Sequence, residues 1–119
     1  MKFIKFFSIL FLGMISVQFA GAQTAIQDSI TVNGNCGMCK KTIEKSALEA
    51  GATTAFWDRK AKVLKVEFDA TKTNNETIQK AVAKSGYDTE NFTAPDDAYE
   101  NLEPCCHYDR KPLKKVNKK

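Results

Sequence analysis

The sequence predicts an α+β fold in which an antiparallel sheet carries two helices on one of its faces. Apolar residues repeat with a period of two in some segments and of about 3.6 in others, and turn residues separate these segments. The segments follow the order β-α-β-β-α-β within roughly 70 residues. That order is typical of a ferredoxin-like βαββαβ sandwich.

The first strand is predicted over residues 26–32, where alternate positions are apolar and only Asp28 interrupts the apolar face. Residues 33–35, Asn-Gly-Asn, then indicate a turn. The period changes after this turn, and residues 38–50 carry apolar side chains at helical spacing. Gly51 stands where a glycine commonly ends a helix.

The rest of the domain is predicted to hold three more strands and a second helix. Strands are predicted at 52–57 and 62–68, joined by a polar turn. The stretch from Thr73 to Glu76 has the form of a capping box, which predicts Thr73 as the N-cap of the second helix. A glycine ends that helix, and a short fourth strand over 87–92 is expected to close the sheet.

Residues 1–22 have the features of a secretory signal peptide. Two lysines precede an apolar run at 6–19, and Ala20-Gly21-Ala22 matches a signal peptidase site. The run is shorter than the ~18–20 residues of a membrane span, so we expect cleavage and no stable membrane insertion afterwards. The mature chain would begin near Gln23, hold about 97 residues, and lie in the periplasm or outside the cell.

Charge and composition exclude several classes of function. The formal net charge of +4 falls to +2 when the two lysines of the signal peptide are lost, which is too small to indicate a nucleic-acid partner. Residues 111–119 are rich in lysine, and such a run is most often a solvated tail. No acid–base or nucleophile constellation stands out, so we do not expect an enzyme.

The four cysteines form two pairs, Cys36 with Cys39 and Cys105 with Cys106. Export would allow disulfides. However, a disulfide across a two-residue gap closes a loop too short to add much stability, and a disulfide between vicinal cysteines forms a strained ring. Cys36 and Cys39 flank the predicted start of the first helix, where backbone N–H groups and the helix dipole favour thiolates. This placement indicates metal binding or thiol–disulfide exchange.

The element order and the Cys-x-x-Cys motif together resemble the heavy-metal-associated domain family. The resemblance covers about residues 26–94, within a domain set at 23–94, and the segment 51–69 is similar to the second and third strands of that family. It implies that Cys36 and Cys39 bind the metal and that the aromatic residue after Gly86, Tyr87, lies beside the metal loop. It also implies a copper chaperone, a pump domain or an exported mercuric-ion-binding protein.

The loop departs from the family in one place. The family reads Gly-Met-x-Cys-x-x-Cys, with a methionine that packs under the loop, whereas this chain has Gly34 at that position and Met38 between the cysteines. This departure bears on loop rigidity and metal preference more than on metal binding itself.

Two thiolates are soft donors that suit Cu(I), Hg(II), Zn(II) or Cd(II), and we take Cu(I) as the first expectation. A two-ligand site is open to attack by the thiols of a partner, so the expected partner is a metal transporter or acceptor protein. The expected function is therefore a metallochaperone or a sequestering protein, acting as a monomer or as a metal-bridged dimer. The alternative is a periplasmic thiol–disulfide oxidoreductase or redox sensor, although such proteins generally have a parallel βαβ core and a longer domain.

Residues 95–119 form a C-terminal tail that carries a second group of soft ligands, Cys105, Cys106 and His107. The fourth strand would direct this tail away from the metal loop. The eleven Cα-to-Cα steps from Ala94 to Cys105 span at most about 36 Å, or around 20–25 Å if a short helix forms. Three outcomes stay open: an unordered tail with incidental thiols, a closed four-ligand metal site, or a disulfide between the two pairs.

Overall fold

The computed structural model describes residues 25–113, so the predicted signal peptide and the last six residues lie outside the described part. The elements are β1 (Ala25–Thr31), α1 (Gly37–Glu49), β2 (Ala52–Asp58), β3 (Val63–Asp69), α2 (Asn75–Lys84), α3 (Asp96–Glu100) and a 3-10 turn (Pro104–Cys106). The helix and strand boundaries of the first five elements agree with the sequence prediction to within a few residues.

The three strands form an antiparallel sheet in the order β1-β3-β2. The predicted fourth strand is reduced to a single bridge between Val32 and Thr89. The chain turns back at this point, because the Thr89 N–H donates to the Phe92 carbonyl at 2.8 Å rather than to a neighbouring strand. The α+β ferredoxin-like fold class is confirmed, with its fourth strand shortened to this bridge.

One face of the sheet packs against α1 and α2 and forms the core. Its fully buried members are apolar side chains at alternate strand positions and at helical spacing, as the periodicity predicts: Ile30, Val32, Leu64, Val66, Ile43, Ile78 and Val82. Burial of one such side chain contributes about 1.5–3 kcal/mol. The same core includes Cys106 and Tyr108 from the tail. The described tail, residues 95–113, therefore packs on the domain.

The predicted N-cap of α2 is wrong by one residue. Asn74 is the N-cap, and its side-chain oxygen accepts from the Thr77 N–H at 2.7 Å. Thr73 is buried, and its hydroxyl donates to the Ala50 carbonyl at 2.7 Å, where α1 ends. The hydroxyl is therefore used between elements and not at the helix that follows it. Among the described residues, no helix has the length and apolar content to span a membrane.

Candidate metal centre

The Cys-x-x-Cys segment forms the first turn of α1. Cys36 is the N-cap residue with extended backbone, and its carbonyl accepts from the Lys40 N–H at 3.1 Å. The backbone N–H groups of Asn35 and Cys36 both lie 3.4 Å from the Cys39 sulfur and donate to it. Two backbone N–H groups at the helix start therefore point at this sulfur, where the sequence predicts N–H groups beside a cysteine.

The tail returns to this loop and places its two cysteines beside the first pair. The Cys36 Sγ lies 2.7 Å from the Cys105 Sγ and 3.4 Å from the Sγ atoms of both Cys39 and Cys106. Cys39 and Cys106, 67 residues apart in sequence, are joined by a disulfide, while Cys36 and Cys105 are free thiols. We call these four residues the sulfur cluster.

The pKa values of the two free thiols of the sulfur cluster are shifted in opposite directions. Burial alone raises the pKa of Cys36, but hydrogen bonds from the Cys105 thiol and from the backbone at Cys39 and Met38 outweigh burial and lower that pKa. The hydrogen bond that Cys105 gives to Cys36 raises the pKa of Cys105. Cys36 is thus the thiol that loses its proton first, and Cys105 is the donor that stabilises it.

His107 points away from the sulfur cluster. Its Nε2 lies 3.3 Å from the Glu100 carbonyl oxygen, and its ring packs on Tyr99 with 5.2 Å between centroids. In the described part of the chain, the donor atoms that lie within 4.8 Å of one another as a candidate metal group belong to Cys36, Cys39 and Cys106. The structure therefore brings the four predicted cysteines together and leaves the predicted histidine on the outer side of the tail.

A sulfur-rich loop at the start of the first helix of this fold agrees with what known protein families and solved structures show. Residues 29–88, about half of the chain, match the family model described as HMA, heavy-metal-associated domain. The chain belongs to the heavy-metal-associated domain family. The family match ends at residue 88, so it includes Cys36 and Cys39 and excludes the tail cysteines.

Two solved structures are similar to this heavy-metal-associated domain. One is described as CopZ metallochaperone, with 27% identity, coverage of 54% of this chain and 98% of that chain, and a TM-score of 0.52. The other is the putative copper-ion-binding protein from Bacillus anthracis str. Ames, with 24% identity, coverage of 57% and 99%, and a TM-score of 0.53, which is a likeness of fold. No curated protein matches the chain.

The glycine that replaces the family methionine has a structural reason. Trp57 is fully buried under the loop, and its indole N–H donates to the Val32 carbonyl at 3.0 Å. A Cβ at Gly34 would lie 3.0 Å from the Trp57 ring and 3.3 Å from the Cys39 Cβ. The indole fills the space under the loop, so a side chain at residue 34 would have to displace the Trp57 ring by a few tenths of an ångström. Met38 does not take over this packing, because half of its side chain is exposed.

Two cations hold the backbone of the loop that precedes Cys36. The Arg59 Nε donates to the Asn35 carbonyl at 2.6 Å, and the Lys62 ammonium donates to the Gly34 carbonyl. Burial lowers the pKa of Lys62, and the charge of Arg59 lowers it further. Lys62 also has a φ of 57°, a backbone conformation uncommon outside glycine. These contacts fix the two carbonyls that precede Cys36 and so hold the loop in place.

Tyr87 lies beside the cysteines, where the family resemblance implies an aromatic residue. It is buried, and its ring stacks on Tyr108 with 6.1 Å between centroids. Burial raises the pKa of Tyr87, and negative charge on Cys36 or Cys105 raises it further. Tyr87 therefore stays a neutral phenol against the sulfur cluster and links it to the tail.

Tyr108 is the main anchor of the tail. It is 1% exposed, and its hydroxyl donates to the Gly86 carbonyl and accepts from the Asp88 N–H, both at 2.8 Å. The Tyr99 hydroxyl in turn donates to the Tyr108 carbonyl at 2.6 Å. These hydrogen bonds hold the tail where its cysteines meet the loop before α1.

Arg110 is a second anchor, which the sequence does not predict. Its guanidinium binds the Asp88 carboxylate through two bonds of 3.0 and 2.8 Å, and it also contacts Asp96 at 2.8 Å and the Ala94 carbonyl at 2.7 Å. The bonds to Asp88 raise the pKa of Arg110, which keeps it charged. On the other side of the tail, the Asn33 amide donates to the Asp109 carbonyl at 2.9 Å.

Proposed function

We propose that this protein is exported and binds a soft metal ion through Cys36 and Cys39, with the tail cysteines as further ligands. The observation that carries the proposal is the convergence of four sulfur atoms at the loop position of a heavy-metal-associated domain. Export rests on the composition of residues 1–22, which resembles a signal peptide.

The donor set defines the class of ion. Thiolate sulfur favours Cu(I), Hg(II), Zn(II) and Cd(II) over hard cations that require oxygen ligands. The similarity to a structure described as CopZ metallochaperone supports Cu(I) as the first candidate. Hg(II) and Zn(II) are the alternatives, and Zn(II) gains from a four-sulfur shell because it prefers tetrahedral coordination.

The position of the tail supports retention of the ion over rapid exchange. Two loop ligands alone would leave the ion open to a partner, whereas Cys105 and Cys106 cover it from the other side. We therefore expect storage, or transfer that waits for the tail to move, in place of rapid exchange. The partner in such a transfer is a metal transporter or acceptor protein, and the protein itself is not an enzyme.

A metal titration of the fully reduced protein tests this function. Stoichiometry and affinity are measured for Cu(I), Zn(II) and Hg(II), with Cys36→Ser, Cys105→Ser and His107→Ala as variants. We expect one ion per chain, a loss of affinity of at least tenfold for Cys36→Ser, a smaller loss for Cys105→Ser and none for His107→Ala. Absence of tight binding to all three ions, together with an oxidising dithiol potential, would support the alternative function of a thiol–disulfide oxidoreductase.

A further inference from the structure

We infer that the sulfur cluster is a disulfide relay, in which the buried Cys39–Cys106 bond can move to Cys36 and Cys105, and that this disulfide and the metal exclude each other. The inference rests on the proposed function for its metal half. Its disulfide half stands on the arrangement of the four cysteines alone.

The first step of the argument concerns access. Cys39 is 0% exposed and Cys106 is 2% exposed, so an external reductant has no direct path to either sulfur of the disulfide. Cys105 is exposed and Cys36 is half-buried. Thiol–disulfide exchange requires contact between the attacking thiolate and a disulfide sulfur. The reductant therefore needs an intermediary inside the protein.

The second step is that Cys36 lies within reach of both sulfurs of the disulfide, side-on to their bond, so that exchange requires a rotation of the Cys36 side chain that brings its sulfur in line with that bond. Its sulfur lies 3.4 Å from both sulfurs of the disulfide and 2.7 Å from the Cys105 sulfur. Attack of the Cys36 thiolate on the Cys106 sulfur forms a Cys36–Cys106 bond and releases Cys39 as a thiolate. Attack of Cys105 on the Cys36 sulfur then forms a Cys36–Cys105 bond and releases Cys106. In each exchange the leaving thiolate takes up the proton that the attacking thiol has lost.

The relay ends at the surface, where an external dithiol can react. The dithiol attacks the exposed Cys105 sulfur, displaces Cys36 and closes its own disulfide by releasing Cys105. The dithiol loses two electrons and two protons, and the protein gains them as two thiols. All four cysteines are then reduced, whereas in the oxidised state Cys39 is part of a disulfide and supplies no thiolate to a metal.

The third step is that the tail has anchors other than the disulfide. The two hydrogen bonds of the Tyr108 hydroxyl and the bidentate contact between Arg110 and Asp88 do not involve sulfur. The reduced cysteines therefore stay close to one another and can bind one ion. Because the metal binds only the reduced form, metal at 100 times its Kd favours reduction by about 100-fold, which is about 59 mV for a two-electron couple.

Disulfide mapping is the first test. The purified protein is oxidised with glutathione disulfide, its free thiols are alkylated at acidic pH, and the peptides are identified by mass spectrometry. We expect a link between Cys39 and Cys106, with alkyl groups on Cys36 and Cys105. A dominant link between Cys36 and Cys39 would overturn the inference.

The rate of reduction tests the relay itself. In Cys105→Ser the Cys39–Cys106 bond can still form, but its route to the surface is lost. We expect reduction by a protein dithiol such as thioredoxin to slow at least tenfold, while the midpoint of thermal unfolding in the oxidised state changes little. In the matched variant of the neighbouring residue, Cys106→Ser, the buried Cys39–Cys106 bond cannot form, and a link between loop and tail should join Cys36 to Cys105. An unchanged rate in Cys105→Ser would refute the relay.

The rate of oxidation in the presence of metal tests whether the bound metal and the disulfide exclude each other. The reduced protein is incubated with one equivalent of Cd(II), which is redox-inert, and then exposed to glutathione disulfide. We expect the Cys39–Cys106 bond to form at least tenfold more slowly than without Cd(II), and oxidation to release the ion. Equal rates with the ion retained would overturn the exclusion. Failure of Cd(II) to bind the reduced protein would refute the proposed function, while the mapped disulfide and the relay rate would stand.

Discussion

Removal of the Tyr108 hydroxyl should release the tail from the domain. In Tyr108→Phe the ring and its packing on Tyr87 remain, but the Gly86 carbonyl and the Asp88 N–H each lose a partner at 2.8 Å in a site that is 1% exposed. A hydrogen bond of this kind contributes about 0.5–1.5 kcal/mol, and a buried group left without a partner costs about 1–3 kcal/mol. We expect a loss of about 2 kcal/mol in the free energy of unfolding.

The assay must be carried out on reduced protein, because the Cys39–Cys106 disulfide would hold the tail in the variant. For a domain of this size, about 2 kcal/mol lowers the thermal midpoint by roughly 8–16 °C in calorimetry. Hydrogen exchange of the Asp88 amide should accelerate, since its acceptor is the removed hydroxyl. Tyr99→Phe is the matched control, because it removes a single bond from a half-buried site and should cost about 1 kcal/mol. A loss below ~0.5 kcal/mol in Tyr108→Phe would refute the role of this hydroxyl as the anchor.

Three further substitutions test the loop, the second anchor and the corrected cap. Gly34→Ala should cost about 1–3 kcal/mol in chemical denaturation, because its Cβ would press on the Trp57 ring, whereas Gly37→Ala meets no atom within 4 Å and should be neutral or stabilising; equal losses in the two variants would contradict the packing argument. Arg110→Lys should cost about 1–2 kcal/mol in the reduced protein, because a lysine cannot bind a carboxylate through two parallel bonds; an unchanged thermal midpoint would count against this anchor. Asn74→Ala should cost about 1 kcal/mol by loss of the cap bond, measured by urea unfolding, and no loss would exclude this residue as the cap.

The sequence-based prediction is wrong where a polar side chain has two possible hydrogen-bond partners. Thr73 fits a capping box by spacing, but its hydroxyl bonds to the end of α1, and Asn74 caps the helix instead. The residues around Thr89 alternate like a strand, yet the Thr89 hydroxyl donates to the buried Gln79 at 2.8 Å and the chain turns. At Thr73 a contact 23 residues away decided between two local structures, and at Thr89 a contact ten residues away did so together with the local bond to Phe92.

The sequence by itself determined the element order and the Cys-x-x-Cys turn at the start of α1. The period of the apolar residues and the positions of the turn residues are local signals that extend over a few residues. They therefore indicate strands and helices whatever the rest of the chain does. Cys36 and Cys39 are three residues apart, and a helix start brings their sulfurs within 3.4 Å wherever that helix lies. The match of residues 29–88 to the heavy-metal-associated domain family agrees with this local information.

Only the tertiary structure decided where the tail goes. Chain length allowed the tail to return to the loop or to leave it, because about 36 Å of extended chain reaches either position. The return of the tail depends on the hydrogen bonds of the Tyr108 hydroxyl to two backbone groups. It also depends on the ion pair between Arg110 and Asp88, which is 22 residues away. These contacts join Cys39 to Cys106, which is 67 residues away, and turn His107 outward. Contacts of this range depend on the packed core, and no spacing in the sequence encodes them.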